Sequence, residues 1–512
     1  MSGPHNTEPS RRGFLAGTAG GLAAVAATRS LPAFAQDPYH PIDEIAPTFA
    51  KARASDPRLA GFANAPGEFD LTHIRIEGKV PKGLSGAFYR NGPALFERDG
   101  VRYRHWFDGD GLVQRWSIGP SGIGYRGRFV ATHKRSLEEK AGKFVVATSG
   151  GGIAIKAPLT GSDSTNPSNT SILPVDGAMW ALWEGGSAVE LDAETLATKG
   201  YIDLGEGSKG APFSAHPRVG EDGRVWNVGS LGSRVILYRL SNNGKLEQAR
   251  IQTLGQPGYY HDFLLTSRSL VVIQCSTQSD ATRSIENGSF GSMRAVPGKP
   301  MKVHVFDRES CDLIRQAELP EGFVFHFGNG WEEEDGTIRF DMAHDGNADL
   351  MLEFFKPMRG LFPDWNARAY RVTLPVKGAP LVEPLQKQVE FPKVNPHFET
   401  RRNRFVYMST MATAGRADWF DAVVKIDLEN GKDQIFRYGP EWMIEEHLFV
   451  PRPGGVKEDD GWLVGTALNW KKQRSALTVF DAAHPERGFL ARGWLDTAMP
   501  LGLHGQFVVA SS

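Results

Sequence analysis

The chain is poor in cysteine, in net charge, in long apolar runs and in helical periodicity. Each shortage removes a class of reading. Two cysteines, Cys275 and Cys311, stand among 512 residues. They exclude a disulfide framework and a thiolate-rich metal site. One pairing is open to them in an oxidising compartment, but as small residues of strand-like segments they read as buried and separate. Lysine and arginine number 58 against 59 acidic residues, a formal net charge of −1. No electrostatic case follows for nucleic acid or for an anionic membrane surface. The least charged stretch is the Gly/Ala-rich run Gly13–Thr28. It is too short and too weakly apolar for a stable transmembrane helix. Helical patterns are confined to short pieces, of which SLEEKAGKF and Ile444–His447 are the best candidates.

The Gly13–Thr28 run has a more specific reading. It follows Arg11-Arg12 with Phe14-Leu15, and Ala33-Phe34-Ala35 supplies small residues for cleavage. This is the form of a twin-arginine export signal over residues 1–35. The mature chain is then expected to begin near Gln36, without an anchor, in the periplasm. That route carries folded proteins, so a metal can be loaded before export.

Turn chemistry is abundant, with 58 glycines and 32 prolines. Residues 36–80 are Pro-rich and read as irregular chain packed across the outside of the fold. From Leu71 onward, runs such as RVWNVGS, SLVVIQCS and GWLVGTAL carry the β-branched and aromatic residues that suit a pleated, half-buried surface. Ser149–Ser171 reads as a long polar loop. Phe354–Trp365 (FFKPMRGLFPDW) reads as a loop tucked onto the body, with a mouth for an apolar substrate as the alternative.

Seven places read as strand, short polar turn, strand. They centre near Ile118, Asp192, Ser241, Asp307, Thr373, Asp427 and Asp481, at intervals of 74, 49, 66, 66, 54 and 54 residues. An irregular repeat of this kind predicts a seven-bladed β-propeller, an all-β fold, over residues 36–512. His216, His261, His326 and His504 fall 24, 20, 19 and 23 residues after four of these turns. Glu390 and Glu446 fall 17 and 19 residues after two others. A recurring position in a recurring blade lies on one ring, and in a propeller that ring surrounds the central channel.

Those four histidines are the candidate metal ligands. They lie 45, 65 and 178 residues apart, so only the tertiary fold can assemble them. Small or turn residues flank each one, including Ala215, Pro217, Gly328, Gly502 and Gly505. His73, His304 and His447 read as core or surface instead. Imidazole suits Zn, Cu, Fe and Ni. A structural zinc closes its shell with four ligands, whereas an octahedral ion such as Fe(II) keeps two positions free. The second ring nitrogen of a ligand normally needs an acceptor. Glu390, Glu446 and the out-of-phase Glu184 are the candidates, the bland reading of each being a surface carboxylate.

At these residues the sequence resembles the carotenoid cleavage oxygenases, a family with apocarotenoid oxygenases, lignostilbene dioxygenases and the retinal-pigment-epithelium isomerase. The marks run from about Leu71 to Phe507. They are RNGP (Arg90–Pro93), HWFDGDG (His105–Gly111), AHP (Ala215–Pro217), HDF (His261–Phe263), NGWEEE (Asn329–Glu334), EFP (Glu390–Pro392), FVPRP with EDDGW (Phe449–Trp462) and LHG (Leu503–Gly505). The resemblance implies a loop-and-helix cap over a non-haem Fe(2+). The four histidines would be its ligands, with Glu184, Glu390 and Glu446 as their supports. It implies oxidative cleavage of one C=C bond by O2 into two carbonyl products, with no side-chain nucleophile.

Lignostilbene-type members carry a lysine directly before the first of those glutamates, where it meets a phenol. Here the position is Trp183, which favours an apolar carotenoid or apocarotenoid. Trp106, Phe107, Trp183, Tyr259, Phe325 and Trp331 are the candidate tunnel residues; packing between blades is the plain reading of each. The alternatives are a stilbene-cleaving dioxygenase, a propeller binding protein held by structural zinc, and oxygen-independent isomerisation. A monomer with peripheral membrane contact for substrate uptake is expected.

Overall fold

The computed structural model describes residues 41–154, 157–205, 207–280, 284–386, 388–413 and 418–510. The expected export signal lies outside the described residues. Seven antiparallel sheets of four or five strands form the blades of a propeller. Each expected turn is the hairpin between the third and fourth strands of one blade: Ile118 beside Gly122, Asp192 before Thr198, Ser241 before Leu246, Asp307 before Leu313, Thr373 before Leu381, Asp427 before Asp433 and Asp481 before Phe489.

The blades pack through separate apolar clusters. The strand Ser269–Gln274 of the fourth blade shows why. Successive side chains of a strand point to opposite faces. Leu270 and Val272 therefore pack with Trp226 and Leu237 of the third blade. Val271 and Ile273 pack with Phe340 and Met342 of the fifth. With both faces covered, such strands read as continuous apolar runs rather than alternating ones.

The ring closes at both ends of the chain. The C-terminal strand Gly505–Val509 is the innermost strand of the first blade, paired Gly86↔Val509 to Arg90↔Gly505. Phe69–Leu71 and Arg75–Gly78 add outer strands to the first and seventh blades. Residues 41–80 are therefore more regular than their sequence suggests. They also include a helix, Ile42–Ser55, and a 3-10 turn, Pro57–Phe62. Pro47 inside the helix removes one N–H from its ladder and disguised it. Its buried Ile45 and Phe49 join Phe62, Trp106, Phe354 and Trp365 in one large cluster.

The helix candidates divide. His133–Ala141 is a helix capped by Thr132. Ile444–His447 instead lies in the strand Trp442–Pro451, which is buried on both faces and so lacks alternation. Cys275 and Cys311 are buried and unpaired. Cys275 directly follows a strand and Cys311 sits in a hairpin turn with φ 61°, so neither is a strand residue.

Candidate metal centre

The innermost strands bring the expected residues together. His216 and His261 lie two residues before Arg218–Val219 and Phe263–Leu265, the inner strands of the third and fourth blades. His504 directly precedes Gly505–Val509. His326, Glu390 and Glu446 stand inside the inner strands of the fifth, sixth and seventh blades. In these three strands the pairing register slips at the same place: between Val324 and Phe327, between Glu390 and Lys393, and between Ile444 and His447. A bulge bends the strand and re-aims a side chain, here toward the axis. The close approach that seats His504 needs glycine: a Cβ on Gly92 would stand 2.5 Å from the Gly502 Cα.

One ring nitrogen from each of the four histidines lies within 4.8 Å of the other three. His216 Nε2 is 2.9 Å from His261 Nε2, and His326 Nε2 is 3.1 Å from His504 Nε2. On the far sides, Glu184 Oε2 accepts from His261 Nδ1 at 2.8 Å, Glu390 Oε2 from His326 Nδ1 at 2.5 Å and Glu446 Oε1 from His504 Nδ1 at 3.0 Å. These contacts fix Nε2 as the nitrogen facing the centre. His216 is tied through the chain: its backbone N–H donates to Ser214 Oγ at 3.1 Å, which donates to the His261 carbonyl at 3.0 Å.

Burial sets the charge of the cluster. Desolvation, then the neighbouring imidazoles, hold His216 well below the ordinary histidine range. Burial, reinforced by His261, does the same for His326, and burial, helped by His326 and Lys393, takes His504 down to about 3 against the pull of Glu446. Neutral imidazoles with free Nε2 lone pairs are the form a metal ion requires. Burial pushes Glu390 up to about 8. Glu446 is equally buried, yet Lys393, His504 and Arg90 hold it well below the usual carboxylate range.

Two cavities meet at His326 and His504. One is walled by Trp106, Phe107, Trp183, Phe290, Phe325, Trp365, Phe391 and Leu503, with Glu184 and His261 among its few polar groups. The other is polar and includes Arg218, Asp262, Lys393 and Glu399. Two residues expected in the tunnel lie elsewhere. Trp331 sits beyond a second register slip, between Phe327 and Gly330, with Arg371 over its ring at 5.3 Å. Tyr259 is turned away from the cavity wall and donates from its hydroxyl to Glu184 Oε1 at 3.1 Å. Sequence reasoning missed three aromatic wall residues. Trp365 ends the apolar segment read as a possible mouth, and Phe391 follows Glu390; both carried a signal. Phe290 carried none.

A family described as retinal pigment epithelial membrane protein matches residues 62–509. The chain belongs to this family. Within it, apocarotenoid-15,15'-oxygenase of Synechocystis is 30% identical over 478 residues, spanning 88% of this chain and 95% of that protein. Lignostilbene-alpha,beta-dioxygenase isozyme III of Sphingomonas paucimobilis is 27% identical over 490 residues, spanning 87% of this chain and 95% of that one. The solved structure of the cobalt-substituted Synechocystis apocarotenoid oxygenase matches with a TM-score of 0.78 at 29% identity, covering 89% of this chain and 99% of that chain. This member of the retinal pigment epithelial membrane protein family thus shares its propeller with an oxygenase that accepts a metal ion, and its own histidine cluster is built to hold one.

Proposed function

We propose that this chain is an alkene-cleaving dioxygenase of the carotenoid-cleavage type, acting on an apolar conjugated substrate such as an apocarotenoid. The observation that carries the reading is the four-imidazole cluster, braced by three carboxylates and set in the wall of an aromatic cavity. His216, His261, His326 and His504 would hold a ferrous ion. When bound, that ion supplies electron density to O2 beside a C=C bond. Two pairs of Nε2 atoms stand 2.9 and 3.1 Å apart, so that one ion could take a nitrogen from each ring.

The protein's part is to bind, orient and keep dry. Glu184, Glu390 and Glu446 orient three of the imidazoles. The cavity aromatics bind a flat conjugated chain and exclude water, so positioning carries much of the work. Trp183, at the place of the lignostilbene-type lysine, gives a phenol no cation there and favours the polyene.

The enzyme is proposed to be exported by the twin-arginine signal to the periplasm and to act as a monomer. Among the described residues no helix is long and apolar enough to cross a membrane. Leu361, 54% exposed on the segment that ends at Trp365, is the proposed point of peripheral contact for substrate uptake. The test is product analysis. Iron-loaded protein is given apocarotenals or 4-hydroxystilbenes, with and without O2, and products are identified by mass. O2-dependent aldehydes from the apocarotenal are expected. Aldehydes from stilbenes alone would overturn the substrate reading, and zinc retention without turnover would overturn the enzyme.

A further inference from the structure

The three bracing carboxylates are themselves held in three different ways. Glu446 is gripped by cations, Arg90 Nη1 at 3.1 Å and Lys393 Nζ at 2.9 Å. Glu390 is fixed by the bulged strand that carries it and accepts the backbone N–H of Phe391 at 2.6 Å. Neither of these two carboxylates is exposed. Glu184 differs on both counts. It follows the strand Ala178–Leu182 on a loop, its side chain is 23% exposed, and it borders the aromatic cavity. Among the described residues no lysine or arginine pairs with it; a phenol holds it instead.

Tyr259 Oη donates to Glu184 Oε1 at 3.1 Å, while Glu184 Oε2 accepts from His261 Nδ1 at 2.8 Å. Tyr259 Oη also stands 3.1 Å from His261 Nδ1, which closes a triangle of three polar groups. The phenol is fixed from behind. Its ring stacks on Phe323 at 5.3 Å, and its backbone carbonyl accepts the Cys275 N–H at 3.1 Å. The Tyr259 and His261 rings lie 6.0 Å apart and 15° from parallel.

We propose that Tyr259 is a positioning residue of the metal centre: its hydroxyl pins the loop-borne Glu184 carboxylate in the orientation that aims His261 Nε2 at the ion. The proposal rests on the reading of the four imidazoles as a metal site. A partly exposed carboxylate on a loop has rotamers open to it that would turn it toward the cavity and release the imidazole. One oxygen tied to a rigid phenol leaves the other facing His261. Glu390 and Glu446 have no such freedom, so the device appears only where the scaffold leaves a carboxylate loose.

The test is cobalt(II) titration of metal-free full-length protein, read by absorption, for wild type, Y259F, E184Q and the double variant. Y259F removes one oxygen and keeps the stacked ring. Loss of one hydrogen bond predicts about fivefold weaker cobalt binding in Y259F. Loss of the charged brace in E184Q predicts about 10–100-fold. The double variant should bind no more weakly than E184Q, because the phenol acts through Glu184. The cobalt bands of Y259F should shift, while the melting point of its metal-free form stays at the wild-type value. Wild-type affinity and bands in Y259F would overturn the proposal. So would additive losses in the double variant, or a metal-free Y259F destabilised as much as its cobalt binding is weakened. A wild type that binds no cobalt, or binds it undiminished in His261→Ala, would instead overturn the metal-centre reading beneath it.

Discussion

Arg90 and Glu446 face each other across the seam of the ring, Nη1 to Oε2 at 3.1 Å, with neither side chain exposed. Arg90 lies on the first blade and Glu446 on the seventh, and Arg90 Nη1 also donates to the Leu503 carbonyl at 3.0 Å. One guanidinium therefore joins the two blades at the seam, the closing C-terminal strand and the carboxylate that braces His504. Removing Arg90 takes the cation from the buried Glu445, 3.4 Å from its Nε, and leaves Glu446 with Lys393 alone, which costs far more than the pairs contribute. Arg90→Met should lower stability by about 3–5 kcal/mol, measured by urea denaturation of the metal-free protein. Arg90→Lys should lose less. A loss below about 1 kcal/mol in Arg90→Met, within the range of a surface pair, would show that the seam is held elsewhere.

Metal retention tests the ligand set directly. His261→Ala or His504→Ala should abolish stoichiometric iron binding, assayed by metal analysis after gel filtration. Full occupancy in either would remove that residue from the set. Glu390→Gln keeps the shape and replaces the carboxyl with an amide. It should weaken affinity by roughly 10–100-fold while the fold stays intact.

The sequence made the ring positions legible because the hairpin between the third and fourth strands carries strong polar turns, such as Asn243-Gly244 and Asn430-Gly431, at a nearly constant distance from the next inner strand. That offset placed His216, His261, His326, His504, Glu390 and Glu446. Glu184 escaped the pattern because it follows the second strand of its blade, not the first. The inner strands themselves were obscure. The three that carry His326, Glu390 and Glu446 are buried on both faces and bulged at the functional residue, so they show no alternation, and Ile444–His447 passed for a helix. Tyr259 read as a tunnel wall because an aromatic residue beside a ligand has two faces, and only the tertiary structure shows which one Glu184 occupies.

His105 gives the fold a pH dependence apart from the metal. It is fully buried, its Nε2 donates to the Met351 carbonyl at 3.1 Å and its Nδ1 accepts the Phe107 N–H at 3.1 Å. Both nitrogens are committed to the neutral ring, and burial takes the pKa down to about 3. The unfolded chain takes up a proton near 6.5 and the folded chain does not, so stability is lost as pH falls from about 6.5 toward 3. At pH 5 this residue's share is roughly 2 kcal/mol. His105→Gln should flatten the slope of unfolding free energy against pH, between pH 6 and 4, by about 1.4 kcal/mol per unit. A slope equal to wild type would mean that the ring is protonated in the folded protein.

The proposed choice between the two substrate classes can be tested at Trp183. Its ring lies in the cavity wall beside Glu184, over the backbone of Gly185, where a Cβ would stand 2.5 Å from the indole. An apolar wall at this place serves a polyene and offers nothing to a phenol. A lysine there would put an ammonium among Phe107, Phe325 and Trp365, at a desolvation cost that an apolar substrate cannot offset and a phenol oxygen can. Trp183→Lys should therefore lower kcat/KM for an apocarotenal and raise it for a 4-hydroxystilbene, moving their ratio by at least about tenfold, the effect of roughly one charge-assisted hydrogen bond. Trp183→Phe keeps an apolar wall and should leave the preference with the polyene. If Trp183→Lys leaves the ratio where it was, the phenol and the polyene are told apart elsewhere in the cavity, and the aromatic wall residues Phe290 and Trp365 become the next positions to change.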